Sequence, residues 1–130
     1  MNTNLLNEMA EASMKGTIHF GQIVGKLMEA GVESYRVDFV RKEKTYYMPN
    51  GESHVVSIDF KKHDLAQKFD GAGIQAAIKA SQRGEIKFIE FIPRALDAGV
   101  RDYTVYIQGK KVIYFGRKGE SHTELFPQAK

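Results

Sequence analysis

The sequence predicts an α+β fold made of two copies of an α-α-β-β unit around a pseudo-two-fold axis, with antiparallel hairpins packed on helices. The main support is an internal repeat. Residues 15–54 align with residues 83–122 without a gap, and 14 of the 40 aligned positions are identical. Two other observations agree with it: apolar residues follow helical spacing early in each copy and two-residue alternation later.

The chain is predicted to be one domain, residues 1–130, with internal repeats at approximately residues 5–60 and 73–126. A length of 130 residues with 42% hydrophobic content suits one core shared by both copies. Neither a flexible linker nor a low-complexity tract separates the copies. The repeat therefore predicts one continuous folded unit.

Each copy is expected to begin with two amphipathic helices. The second helix has apolar residues at the i, i+3, i+4, i+7 and i+8 positions of a buried face. These residues are Phe20, Ile23, Val24, Leu27 and Met28 in the first copy and Phe88, Phe91, Ile92, Ala95 and Leu96 in the second. Gly31 and Gly99 follow as residues that close a helix in the left-handed conformation. Pro93 is expected to kink the second copy's helix or delay its start.

Alternation after these glycines predicts a hairpin in each copy, turning near Arg41-Lys42 and at Gly109-Lys110. The register places the repeated tyrosines on the inward face. That face carries Tyr35, Val37, Phe39, Tyr46 and Met48 in the first copy. The outward face of the second hairpin is unusually apolar, with Tyr106, Ile113 and Phe115. We expect it to be covered by the Leu5 or Leu65 helical region or by a second copy in a homodimer.

The segment between the copies is predicted to contain a turn, a strand and a short helix. Pro49-Asn50-Gly51 predicts a turn, after which residues 52–60 favour another strand. Asp64 is expected to cap a short helix that contains Leu65 and Phe69, and Asp70-Gly71 then ends it.

Composition limits the classes of function. The chain has no cysteine, so it offers no disulfide framework, thiolate metal site or cysteine nucleophile, and it suits a reducing cytosol. Neither a signal peptide nor an 18-residue apolar run is present, so we expect a cytoplasmic protein without a membrane anchor. A net charge of +3 is spread among interspersed acidic residues and does not favour nucleic acid binding.

The glycines at positions 16 and 84, each followed by Thr or Glu and then Ile, are similar to the middle of a calcium loop between two helices. Counting from them places Lys15 and Arg83 at ligand positions, and cations cannot coordinate calcium. We therefore expect no calcium site. The similarity still suggests a geometry in which Ile18 and Ile86 pair across the pseudo-two-fold axis.

The repeated Gly-Glu-Ser-His motif is the main candidate site. Its Glu and His lie two residues apart and so share one face of an extended strand. If the copies meet about the axis, Glu52, His54, Glu120 and His122 converge as two carboxylates and two imidazoles. Such a set could bind a small ligand or a metal, or perform acid–base chemistry. The simpler interpretation is that Gly and Ser shape the turn while His bonds to a neighbouring strand.

A further candidate site is a set of basic residues at or near the hairpin tips. These are Arg41-Lys42-Lys44, Lys110-Lys111 and Arg117-Lys118. A symmetric pair of tips could contact phosphates, but no aromatic residues for base stacking alternate with the charges there. We expect these tips to be solvated.

Three stretches give the chain a family resemblance: residues 30–35, residues 43–54 and residues 114–119. They resemble the YdfO-like family of unknown function, whose members occur in bacteria and prophages and are sometimes labelled "phage envelope protein". The resemblance covers nearly the whole chain and supports the fold class. It implies no activity, cofactor or catalytic residue, and the sequence has no coiled-coil, collagenous or transmembrane segment typical of virion proteins.

The predicted function is a non-enzymatic small-ligand-binding or regulatory module. Its pocket is expected to contain Glu52, His54, Glu120 and His122, with the inward tyrosines Tyr46 and Tyr114. We predict no cofactor or metal, and the partner is a small ligand or a protein. Two alternatives stay open: a hydrolase-like or metal-dependent enzyme that uses the Glu/His pairs, and a nucleic-acid or phage-structural interaction protein.

Overall fold

The computed structural model describes residues 1–127 as four helices and one six-stranded antiparallel sheet, which confirms the α+β class. The helices are α1 (Thr3–Lys15), α2 (Phe20–Glu29), α3 (Gly71–Gln82) and α4 (Phe88–Asp97). The strands are β1 (Ser34–Asp38), β2 (Glu43–Tyr47), β3 (Ser53–Ser57), β4 (Val100–Tyr106), β5 (Lys111–Gly116) and β6 (Ser121–Leu125). The strand order is β3-β2-β1-β4-β5-β6.

Each half contains three strands, so the predicted α-α-β-β unit is corrected to α-α-β-β-β. The predicted strand within residues 52–60 is present as β3, and its counterpart β6 was missed. Both strands begin at the serine of a Gly-Glu-Ser-His motif and pair with the preceding hairpin. The motif is thus the turn that starts each edge strand.

The two halves meet through β1 and β4, which pair antiparallel at the centre of the sheet. Arg36 pairs with Thr104, the residue that aligns with it in the repeat, while Tyr35 pairs with Val105 and Val37 with Tyr103. Buried residues from both halves form one hydrophobic cluster. One sheet and one core therefore span both halves.

The predicted helix ends are confirmed. Gly31 and Gly99 have φ values of 81° and 79°, and each follows the last turn of its helix. Gly16 closes α1 in the same conformation, with a φ of 71°. Pro93 lies inside α4, which begins at Phe88 and continues to Asp97, so Pro93 does not delay the helix start.

The inward face of the sheet is buried under the helices, as predicted for Tyr35, Tyr46, Tyr103 and Tyr114. The outward face differs from the expectation. Helix α1 packs its Leu6 into the core on the inward side, and the Leu65 segment is not helical, so neither covers that face. Tyr106 is 36% exposed, and Ile113 and Phe115 are half-buried. The homodimer stays a prediction.

The short helix predicted after Asp64 is wrong. Residues 58–70 contain no helix, because their backbone hydrogen-bonds instead to the end of α4. The N–H of Ala66 donates to the carbonyl of Leu96 at 3.0 Å, and that of Asp70 donates to Ala98 at 2.8 Å. Asp70 begins α3 as its cap, since its Oδ1 accepts from the N–H of Gly73 at 2.9 Å.

Among the helices of residues 1–127, none is long and apolar enough to cross a membrane.

Candidate ligand-binding site

A cavity of about 350 Å³ lies between the helices and the inward face of the sheet. Both halves contribute to it through equivalent elements. Its lining is mostly apolar, with residues that include Ile18, Phe20, Ile23, Ile78, Ile86, Phe88, Phe91, Val112 and Phe126. Small-molecule sites have this size and character, with a few polar groups that orient the ligand.

The loops between the paired helices form one wall of the cavity. These are residues 16–19 and 84–87, the segments that are similar to calcium loops. Ile18 and Ile86 both line the cavity, but neither belongs to a strand, so the expected pairing of the two isoleucines is wrong. Gly16 packs against the aliphatic chain of Lys87, where an added Cβ would lie 2.5 Å from Cδ.

Three tyrosines from the sheet also line the cavity. Tyr35, Tyr103 and Tyr114 are at most 7% exposed, and the rings of Tyr103 and Tyr114 are 5.1 Å apart. Burial raises the pKa of each phenol above its ordinary value, so all three are neutral at physiological pH. Their hydroxyls form no hydrogen bond within residues 1–127, yet no polar side-chain atom of that range is fully enclosed without a partner. The hydroxyls therefore reach open space.

Lys44 is the most unusual residue of the site. It lies on β2 with its side chain on the inward face, it is 3% exposed, and it lines the cavity. Its Nζ lies 4.5 Å from the ring centroid of Phe88 and 6.0 Å from that of Tyr35. Burial lowers the pKa of Lys44 from 10.5 to about 8. The described part of the chain provides no ion pair or hydrogen bond for this amine, and since no polar side-chain atom there is fully enclosed without a partner, Nζ reaches the open space of the cavity as the tyrosine hydroxyls do.

Glu124 is the one acidic residue that lines the cavity in the described chain. Its Oε2 lies 3.4 Å from Nζ of Lys79, and its Oε1 lies 3.4 Å from Nε2 of His122. The carboxylate therefore already has cationic and hydrogen-bonding partners, unlike Lys44.

Lys44 and Glu124 lie at two positions where the halves differ in charge. In the repeat alignment Lys44 corresponds to Val112, and Glu124 corresponds to Val56. Lys44 pairs with Val56 across β2 and β3, and Val112 pairs with Glu124 across β5 and β6. Each half thus has one valine and one charged residue at equivalent cross-strand positions.

Of the predicted site residues, the two tyrosines are buried on the inward face of the sheet, whereas the two glutamates lie at turns. Tyr114 lines the cavity, and Tyr46 is 1% exposed and packs 5.6 Å from the ring of Tyr35. The Glu side chains lie at turns. Glu52 accepts from Nδ2 of Asn50 at 2.6 Å. Glu120 accepts from backbone N–H groups, including that of Lys118, and these bonds lower the pKa of its carboxyl.

The expected convergence of the two histidines is wrong. His54 lies on β3 and His122 on β6, which are the two edge strands of the sheet. His54 contacts Oδ1 of Asn7 in α1 at 2.9 Å, whereas His122 contacts Glu124. Within residues 1–127 no three His, Asp or Glu side chains are close enough to hold a metal ion. Whether either Glu/His pair binds a ligand stays a prediction.

The basic hairpin tips are mostly exposed as expected, with one correction. Arg41, Lys110, Arg117 and Lys118 are exposed, but Lys44 is buried. Its position follows from the two-residue period of β2, because Lys44 lies two residues before the inward Tyr46. The alternation of β2 alone therefore predicts an inward Lys44, although a charged residue is usually exposed.

The fold and the cavity define the class: an α+β protein whose helices and sheet border a largely apolar cavity lined by one buried lysine. A family model described as "Protein of unknown function (DUF1398)" matches residues 50–124. The match covers more than half of the chain, so the protein belongs to the DUF1398 family. No curated protein matches the chain.

Proposed function

We propose that this protein is a non-enzymatic module that binds a small, largely apolar ligand in the cavity between its helices and its sheet. One observation carries the proposal. The cavity has about 350 Å³ of space under aromatic and aliphatic side chains from both halves. A ligand in this space would remove the apolar surface of these side chains from water, which is favourable.

The phenols and the carboxylate of the cavity support binding more than catalysis. The three lining phenols have raised pKa values and so are poor acids and bases near neutral pH. Glu124 is held by Lys79 and His122. These groups suit orientation of a ligand by hydrogen bonds.

We propose as well that the fold arose by duplication of one α-α-β-β-β unit. The symmetric register around Arg36 and Thr104, together with the repeated element order, supports a tandem duplication around a pseudo-two-fold axis that passes between β1 and β4. The cavity lies where equivalent loops of both copies face each other. We also retain YdfO-like membership and a cytoplasmic location as parts of this proposal, supported by the sequence resemblance and the absence of cysteine.

Filling the cavity tests the proposal. Val112→Phe is expected to abolish binding of the neutral fluorescent probe N-phenyl-1-naphthylamine, because the larger ring would occupy the cavity that Val112 lines. The fold should tolerate this change. Val105→Phe is the matched control: Val105 pairs with Val112, is 0% exposed and does not line the cavity. That change overpacks the core and should cost about 1–3 kcal/mol of stability.

Probe fluorescence and thermal unfolding of each variant give the result. The wild-type protein should bind the probe, and binding should raise its melting temperature. His54→Ala should leave the affinity for the probe unchanged, because His54 contacts Asn7 and does not line the cavity. Failure of the wild-type protein to bind, or a loss of binding in His54→Ala but not in Val112→Phe, would contradict the proposal.

A further inference from the structure

We infer that the cavity selects organic anions, and that the ligand is an apolar carboxylate whose head group contacts Nζ of Lys44. This inference rests on the proposed function and adds the chemical class of the ligand to it. Its basis is the position of a buried lysine without an anionic partner at the wall of an apolar cavity.

Lys44 is 3% exposed and its Nζ faces the cavity; a lysine buried to this extent without a counter-ion is rare because separation of the charge from water is costly. The rings of Phe88 and Tyr35 compensate in part, since a cation is attracted to an aromatic face. They supply no hydrogen-bond acceptor that matches the three donors of the amine. A carboxylate that entered the cavity would supply both the charge and the acceptors.

The other charged groups of the cavity favour a negative ligand. Glu124 is paired with Lys79 and contacts His122, so it does not require a cationic ligand. His19 and Lys87 lie at exposed positions of the same lining and add no negative charge. Among the titratable residues that line the cavity in the described chain, Lys44 is thus the buried charge without a partner.

The tyrosines provide the rest of the head-group site. Tyr35, Tyr103 and Tyr114 line the same cavity as Lys44 and have hydroxyls without a hydrogen-bond partner in residues 1–127. Their raised pKa values keep them protonated, so each hydroxyl can donate to a carboxylate oxygen. Hydrogen bonds to a charged acceptor are about twice as strong as neutral ones.

Displacement of N-phenyl-1-naphthylamine by decanoate, decanol and decylamine tests the inference. These competitors share a chain length and differ in the charge of the head group. At pH 7 decanoate should bind the wild-type protein at least about tenfold more tightly than decanol, the effect of one charge-assisted contact. Lys44→Met should remove this difference. Lys44→Arg should retain most of it, and Lys118→Met, an exposed control, should retain all of it.

A pH series keeps the test valid if a Lys44 variant fails to fold. In the wild-type protein the affinity for decanoate should fall as the pH rises past about 8, because the free protein loses the proton of Lys44. The affinity for decanol should stay constant. Tyr35, Tyr103 and Tyr114 remain protonated in this range because burial raises their pKa values.

Each outcome separates the two proposals. Equal affinities for decanoate and decanol, with normal probe binding, would overturn the inference and leave the proposed function intact. Tighter binding of decylamine than of decanoate would also overturn it and would identify Glu124 as the recognising group. If neither the probe nor any competitor binds, the proposed function itself is wrong.

Discussion

Lys44→Met is expected to stabilise the free protein at pH 7 by about 3 kcal/mol, because it removes a buried charge and leaves a side chain of similar shape. Burial lowers the pKa of Lys44 from 10.5 to about 8, so the folded state opposes the charged form. A basic group with a depressed pKa destabilises the protein below its folded-state pKa. The penalty disappears as the pH rises from the folded-state value to the unfolded-state value.

The same pKa shift predicts the pH dependence of stability. The free energy of unfolding of the wild-type protein should rise by about 2 kcal/mol between pH 7 and about pH 9.5. Urea unfolding of wild type and Lys44→Met across that range measures both quantities. Above about pH 10 the tyrosines ionise first in the unfolded state, because burial raises the pKa values of Tyr35 and Tyr103, and stability should then fall. A destabilised Lys44→Met, with the same pH profile as wild type, would refute this account of the cavity.

Gly99→Ala is expected to cost about 3 kcal/mol or more. Gly99 has a φ of 79°, where a side chain adds about 1–2 kcal/mol of strain. In addition, an added Cβ would collide with the backbone of the inter-copy segment, at the carbonyl oxygen of Lys68 and 3.0 Å from Cα of Phe69. Backbone atoms cannot rotate away as a flexible side chain does, so the strand or the segment must shift.

The glycine at the equivalent position of the first half is a matched control. Gly31 has a φ of 81°, but an added Cβ would meet only Cε of Met48, at 3.7 Å. Gly31→Ala should therefore cost about 1–2 kcal/mol, the strain of the left-handed conformation alone. Urea unfolding of the two variants isolates the packing of residues 68–69 against Gly99. Equal losses of stability would show that this contact contributes nothing.

Much of the fold could be predicted because its signals are local. Helical spacing predicted α2 and α4, the glycines at positions 31 and 99 predicted their ends, and alternation predicted the central hairpins. The segment at residues 58–70 could not be predicted in this way. Asp64 and Leu65 have a local helical pattern, but the N–H groups of Ala66 and Asp70 just after them bond to the end of α4, which is distant in sequence.

The candidate site was harder to predict than the fold for two reasons. The Gly-Glu-Ser-His motif occurs in both halves at the same place, the turn that starts an edge strand, and its two histidines lie on different edges of the sheet. Lys44 and Glu124 align with valines, so they are absent from the identical positions of the repeat that indicated the candidate site. The useful signal was a charged residue at an inward strand position aligned with a valine.

The pKa of Lys44 with and without decanoate tests the central claim most directly. It can be followed by NMR of the Cε and Nζ signals of labelled lysines, with the signal of Lys44 assigned from Lys44→Arg. We predict a pKa of about 8 in the free protein and a rise toward the ordinary lysine value when decanoate is bound, because a carboxylate at Nζ favours the ammonium form. A pKa near 10.5 in the free protein, or no change at saturating decanoate, would contradict a buried amine that recognises organic anions.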